Sequence, residues 1–491
     1  METRLLIAGE QVAGLGAALA VENPATEETL ASVALPSHEQ VDTAVAGAAE
    51  ATRAWAGIPA LERAELLHEV AARMRAITDE LALAMTREGG KPLVENRDEV
   101  GWTAGAFDYY AEIGRSSAGR VIPPIESTQL ALVLKEPVGV VACIVPWNYP
   151  LLLLAWKLAP ALAAGNTTVA KPSELTPLST LMLAPCFDHL PPGAVNLLAG
   201  GGDIGEAIVA DARVDCVAFT GSVETGKAIA RRCADRVARV NLELGGKDPF
   251  IVCADVADGL GVAARGGAWA AFLNAGQVCT SAERFYVMEP LYDEFVAAFV
   301  EHTQSLVVGD PEDPDTDLGP MASAAQRARV EAQLDGAVAA GAAVIVGGGR
   351  TDRRRGHFLS PAVVTGSPPQ TDLLREETFG PVAPIVPVGT LDEAIALANG
   401  TRFGLGANVY TRDLETTVRC MRELRAGTVW FNDPLTDNDA GPFGGMKQSG
   451  LGRELGQEGL EAFQETKHVH IETSIAAKEW WYPYGGPPAG A

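Results

Sequence analysis

Residues 131–245 predict an α/β protein built on a doubly wound parallel sheet. Two observations carry this: short apolar, β-branched runs recur there, and amphipathic stretches at helical spacing separate them. Parallel strands joined by right-handed helical crossovers make such a sheet, which binds ligands at the carboxyl ends of its strands.

Strands are expected over 138–145, 167–171, 194–198, 216–219 and 237–242, with helices over 151–164, 176–189, 204–210 and 222–232 between them. Ahead of this stretch, 38–115 carries apolar positions at helical spacing among Ala, Glu and Arg and reads as a helical layer. Behind it, a second α/β unit is expected after Gly245 and on to about 445. Its strand-like runs lie at 249–253, 285–288, 344–346, 382–388 and 428–431, and turn clusters at 311–320 and 347–356 separate its elements. Two α/β lobes of similar size imply a cleft between them.

A chain of 491 residues with 47% hydrophobic and 21% charged side chains has the composition of a large globular protein. The formal net charge of −25 repels phosphate backbones and anionic headgroups, so neither nucleic acid nor membrane is an expected partner. The seven cysteines form no C-x-x-C pair, so no metal site is expected and a reducing compartment is the simplest reading. The N-terminus turns polar after Ile7, too soon for a signal-peptide core, and no apolar run could span a bilayer. A cytoplasmic protein is expected.

Several junctions concentrate chemistry. In Pro146-Trp147-Asn148-Tyr149-Pro150 the prolines fix a strand-to-helix turn and leave the Asn148 amide free to point away from the sheet; capping the next helix is an equal alternative. Phe219-Thr220-Gly221-Ser222 opens a second such helix, whose free N–H groups attract a pyrophosphate. Lys171-Pro172-Ser173-Glu174 ends another strand, where a lysine and a carboxylate can grip ribose hydroxyls and the carboxylate repels a 2′-phosphate. A solvated charged turn explains the same residues. Glu243 precedes Gly245 and Gly246, which leave room around its carboxylate for water or substrate. Cys279 follows a loop that begins at Asn274. An unperturbed thiol is only about 3% thiolate at neutral pH, so a nucleophilic Cys279 needs a helix terminus, a cation or a base nearby; inert packing is the alternative. Glu377-Thr378-Phe379 and the glycine-rich loop 441–450, which leads to Arg453-Glu454, complete the set.

In this order the segments resemble the aldehyde dehydrogenase superfamily, from about Asn23 to His468. The resemblance implies a Rossmann-like NAD-binding lobe (1–117 and 138–245), a catalytic lobe (246–445), a β-arm for oligomerisation (118–137 and 463–480) and a C-terminal tail (481–491). It implies Cys279 as nucleophile, Glu243 as general base, Asn148 as oxyanion donor and Glu454 as a further, proton-relaying carboxylate. It puts the cofactor on Ile144, Pro146, Trp147, Lys171, Ser173, Glu174, Gly205, Phe219, Gly221, Ser222 and Gly245, with Glu377 on the nicotinamide ribose and Phe379 beside it. NAD is implied over NADP, and assembly as a dimer or dimer of dimers.

For the aldehyde, the resemblance points to Tyr149 and Trp156, seven apart on one helix face, and to Phe443. An aromatic box for a trimethylammonium group and an apolar tunnel for aliphatic or aromatic aldehydes are both open. A coenzyme A-acylating relative and a non-enzymatic protein on the same fold are the rival readings; Glu243 argues against the first and Cys279 against the second. The interval from Glu243 to Cys279 is slightly long for the family, with the extra residues expected near 257–264.

Overall fold

The computed structural model describes all residues except Met1, Glu2, Glu479, Pro483 and 485–491, so most of the expected tail lies outside the described residues. Its larger sheet has eight strands. In spatial order they are Gly450–Leu451, Arg239–Leu244, Cys216–Gly221, Val140–Ile144, Thr167–Lys171, Val195–Leu197, Leu5–Ile7 and Glu10–Val12. The five central strands run parallel and the outer ones antiparallel. Strand order reverses between Val140–Ile144 and Cys216–Gly221, which opens a crevice beyond their carboxyl ends.

Two expectations need correction here. The helix expected over 176–189 is broken into Pro177–Leu181 and a 3₁₀ turn Ala184–Phe187, because Pro185 has no N–H to donate and its ring clashes with the carbonyl four residues back. The sheet also recruits the N-terminal strand Leu5–Ile7, too short to be distinguished by periodicity.

The second sheet has seven strands, in the order Ala343–Val346, Ala362–Thr365, Val382–Val388, Ala282–Met288, Asp248–Val252, Gly406–Tyr410 and Thr428–Phe431. Ala362–Thr365 and Gly406–Tyr410 were not expected; both are short and almost wholly buried, so they lack the alternation that marks a half-exposed strand. A third sheet pairs Gln464–Glu472, Gln129–Pro137 and Arg120–Ile122, antiparallel throughout.

The helical layer comprises His38–Ala56, Ala60–Ala76, Thr78–Gly89 and Leu93–Ser116. Its last helix reaches the crevice through Glu99, whose Oε1 accepts from the backbone N–H of Leu151 at 3.0 Å and of Leu152 at 3.1 Å. A carboxylate there satisfies orphan donors of the helix Leu152–Ala163 and complements its dipole. Glu99 is held in turn by the buried ammonium of Lys91, which also donates to Asn148 O at 3.3 Å and lies 3.7 Å from the centre of the Tyr149 ring. This buried pair therefore anchors the loop that carries Asn148. Lys91→Ala would strand the Glu99 carboxylate without a partner, and a loss of about 3–5 kcal/mol is expected in denaturant unfolding.

Candidate active site

Ile144 ends one of the two strands that flank the crevice, Phe219 is its register partner on the other, and both line a cavity of about 810 Å³. Pro146, Lys171, Ser173, Glu174, Gly205 and Gly221 complete its nominated wall residues; Arg231 and Arg232, not foreseen, also border it. Lys171 is buried, and its Nζ donates to Pro172 O at 2.9 Å and Gly200 O at 2.8 Å, so its charge is pinned at the strand end. Burial pushes its pKa down. Glu174 stands exposed at the rim. Ser222 caps the helix Val223–Ala234 by accepting from Thr225 N, which leaves that helix start beside the cavity.

Pro146 and Gly221 are shared with a second cavity of about 140 Å³, bounded by Trp147, Asn148, Ser222, Gly245, Cys279, Glu377 and Phe379. Burial raises the Glu377 carboxyl to about 7, and its Oε1 accepts from Gly246 N at 3.0 Å. A Cβ on Gly245 would sit 2.5 Å from that oxygen, so only glycine leaves the carboxylate its place. Phe379 meets Trp147 edge to face at 5.4 Å, and its N–H, like that of Thr378, donates to the buried Glu283 carboxylate at 2.8 Å. Lys247 pairs with Glu283 at 2.5 Å. Sequence reading missed this support, because Glu283 lies in an unremarkable strand.

Cys279 sits on the wall shared by this cavity and a third, of about 350 Å³, lined by Tyr149, Trp156 and Phe443. Trp156 and Phe443 pack with centroids 5.1 Å apart. Trp102, Trp269, Asp437 and Asp439 join this wall; none was nominated, since each belongs to a stretch that reads as helix surface or turn.

The approach to Cys279 is a turn in which Asn274, Ala275 and Gly276 all have positive φ, of 49°, 54° and 72°. At Gly276 a Cβ would lie 2.3 Å from Gly380 O, so glycine is required there. Two amide contacts lock the turn to the first lobe and a third holds the turn together. Asn148 Nδ2 donates to Gln277 O at 3.0 Å, Asn274 Nδ2 to Asn148 O at 3.3 Å, and Gln277 Nε2 to Asn274 O at 3.0 Å. Asn148 therefore does not cap the next helix, a role taken by Glu99. One of its two N–H groups is bonded and one remains. The long interval before Cys279 runs through an exposed 3₁₀ turn, Ala254–Gly259, into the helix Leu260–Phe272, and Cys279 still shares a cavity with Asn148.

Glu243 and Glu454 line none of these three cavities. Both are buried. Glu243 Oε2 accepts from Gly445 N at 3.3 Å, whereas its Oε1 has no partner. Glu454 pairs with Lys157 at 2.5 Å, and Lys157 also donates to Thr220 Oγ1 at 2.5 Å. Burial, then the charge of Glu454, pushes Glu243 well above the usual carboxylate range. Burial likewise raises the Cys279 thiol, and Asp437, Asp248, Glu377 and Glu243 raise it further.

The donor set fits a nicotinamide dinucleotide: an ammonium and carboxylate at one end, a helix start in the middle, a carboxylate beside two aromatic rings at the other. Among the described residues no group of side chains suits a metal ion, and no helix is long and apolar enough to cross a membrane.

The aldehyde dehydrogenase family model matches residues 12–469. A betaine aldehyde dehydrogenase of Bacillus subtilis (strain 168) is 37% identical, covering 98% of this chain and 100% of that one. The NADP(+) succinate-semialdehyde dehydrogenase GabD of Escherichia coli (strain K12) is 38% identical over 95% of this chain and 97% of its own. A crystal structure of Staphylococcus aureus betaine aldehyde dehydrogenase in complex with NAD+ superposes with a TM-score of 0.95 at 35% identity, covering 98% and 96% of the two chains. The chain belongs to the aldehyde dehydrogenase family and is an oxidoreductase acting on aldehydes.

Proposed function

We propose that the protein oxidises an aldehyde to its carboxylic acid with NAD, through a covalent adduct on Cys279. The observation that carries this reading is the place of Cys279, on the one wall common to the aromatic cavity and the cavity that continues into the strand-end crevice. The thiolate adds to the carbonyl carbon, and the carbonyl electron pair moves onto oxygen. The free N–H of Asn148 and the Cys279 backbone N–H hold that oxygen, each donor worth about 2.7–4 kcal/mol. Glu377 and Trp147 would hold a nicotinamide, which would take the hydride as the adduct's C–H bond breaks and its carbonyl re-forms, and would bring positive charge to the site. Glu243 takes the proton of the water that attacks the resulting thioester, a role worth about 10²–10⁴ in rate. Glu454 and Lys157 carry that proton onward. Aldehyde, water and NAD+ thus become acid, NADH and a proton.

The preference for NAD is assigned to Glu174, whose carboxylate stands where a 2′-phosphate would be repelled. The three-stranded sheet leaves Val121, Leu130, Leu134 and Ile471 exposed, and we assign this face to a second copy, as a dimer or dimer of dimers. Seven free cysteines fit a reducing, cytoplasmic setting. The two relatives are named for aldehydes of opposite charge, so substrate choice rests on side chains particular to this cavity.

The test is NADH formation at 340 nm with a panel of aldehydes, with and without coenzyme A. Hydrolytic turnover should not require coenzyme A. Cys279→Ala should abolish it, whereas Glu243→Gln should keep a burst of NADH but deacylate about 10²-fold more slowly. Loss of the burst would refute the assigned role of Glu243. Because the Cys279 and Glu243 pKa values are both raised, their ionised forms grow as pH rises above neutrality. Iodoacetamide labelling of Cys279 and deacylation should therefore both accelerate from pH 7 to 9, and NAD+ should accelerate labelling at fixed pH. Glu174→Gln should lower the NAD-to-NADP ratio of kcat/KM by roughly tenfold, the weight of one charged contact; an unchanged ratio would remove Glu174 from the ribose.

A further inference from the structure

The aromatic cavity has a charge as well as a shape. Its wall contains two carboxylates, Asp437 and Asp439, and no lysine, arginine or histidine. The nearby ammonium of Lys91 is already committed to Glu99 and to the Tyr149 ring. Asp437 is exposed and lines the cavity; the protein packed around it raises its carboxyl to about 7, with Asp439 adding to the shift. Neither side chain has an ion-pair partner among the described residues. Half-exposed Trp102 and Trp269 stand with them on the wall, and Tyr149, Trp156 and Phe443 line the buried part that reaches Cys279.

We propose that this cavity selects aldehydes carrying a positively charged nitrogen remote from the carbonyl, with Asp437 and Asp439 as specificity-determining residues and the aromatic faces flanking the cation. The assignment rests on the reading of Cys279 as the nucleophile. It follows from elimination by charge. An aldehyde with a terminal carboxylate would enter a wall that offers it two like charges and no counterion. A neutral aliphatic aldehyde would fill the aromatic part but leave both carboxylates without a counterion. An ammonium group satisfies both, because it can pair with the carboxylates and lie against aromatic faces at once. Seating a cation also removes a barrier to chemistry: among the charges that hold the Cys279 thiol protonated, Asp437 is the foremost. A bound cation offsets that charge at the moment the thiolate is needed.

Primary and quaternary ammonium share this chemistry, and the test separates them. The wild type and Asp437→Asn are assayed with NAD against 3-aminopropanal, 3-(trimethylammonio)propanal, butanal and 4-oxobutanoate. The cationic aldehydes should exceed butanal in kcat/KM by about tenfold or more, and 4-oxobutanoate should fall below it. Asp437→Asn should lower the cation-to-butanal ratio by about tenfold and raise the relative rate of 4-oxobutanoate. Using ratios within one variant removes any general effect of the substitution. Preference for one cation over the other identifies the headgroup. Binding is read separately by calorimetry with propylammonium and propanoate. Propylammonium should bind the wild type more tightly than Asp437→Asn, and propanoate should not bind either. NADH formed from butanal as readily as from the cations, with the ratio unmoved in Asp437→Asn, would overturn the selectivity and leave the Cys279 chemistry standing. Asp437-dependent binding of propylammonium without NADH from any aldehyde would support the cation site and overturn the chemistry instead.

Discussion

The site depends on an amide lock between the lobes. Asn148 comes from the loop after a strand of the eight-stranded sheet, and Cys279 from the turn that leads toward the seven-stranded one. The bonds Asn148 Nδ2 to Gln277 O and Asn274 Nδ2 to Asn148 O fix each relative to the other. The lock opposes backbone strain: Asn274 and Ala275 are held at positive φ, at about 1–3 kcal/mol each. The buried amide bonds return about 0.5–1.5 kcal/mol apiece, and leaving such amides unpaired would cost more than the bonds yield. Strain and satisfaction thus nearly balance, and the nucleophile's approach is defined by both. Ala322 N, donating to Gln277 Oε1 at 2.9 Å, ties the same turn into the second lobe.

Around this lock the charges are arranged so that buried cations are committed and several carboxylates are not. Lys91 is bound to Glu99, Lys157 to Glu454 and Lys247 to Glu283. Glu243 and Asp248 keep unpartnered oxygens. Burial first, and then this net field, opposes thiolate formation at Cys279. A thiol held neutral at rest is also a poor target for oxidation, so the same field that delays reactivity protects it.

Much of this is legible in the sequence. The five parallel strands of the larger sheet, the helices after Asn148 and Ser222, the loop positions of Asn148, Glu174 and Cys279 and the strand-end position of Gly221 follow from local patterning, because turn residues at strand ends announce themselves. Other features are not. Pro185 divides a stretch whose apolar spacing suits one helix. Gly406–Tyr410, buried on both faces and containing Asn408, has no alternation to read. Trp102 and Trp269 look like helix-surface residues, and Asp437 and Asp439 like turn residues. The supporting pairs, such as Lys91 with Glu99, join residues whose partners in the site lie far along the chain.

Residue order by itself determined the α/β class, the strand-end positions of the reactive groups and the family resemblance, since each is written within a few neighbouring residues. Only the tertiary structure decided that Cys279 stands between two cavities, that Asn148 is tied to Gln277 while Glu99 caps its helix, and that the aromatic cavity carries negative charge. The reason is physical: burial, hydrogen-bond partnership and electrostatic field are set by what comes near in space, and segments such as 99–102, 148–156, 269–279 and 435–443 meet only when both sheets are packed.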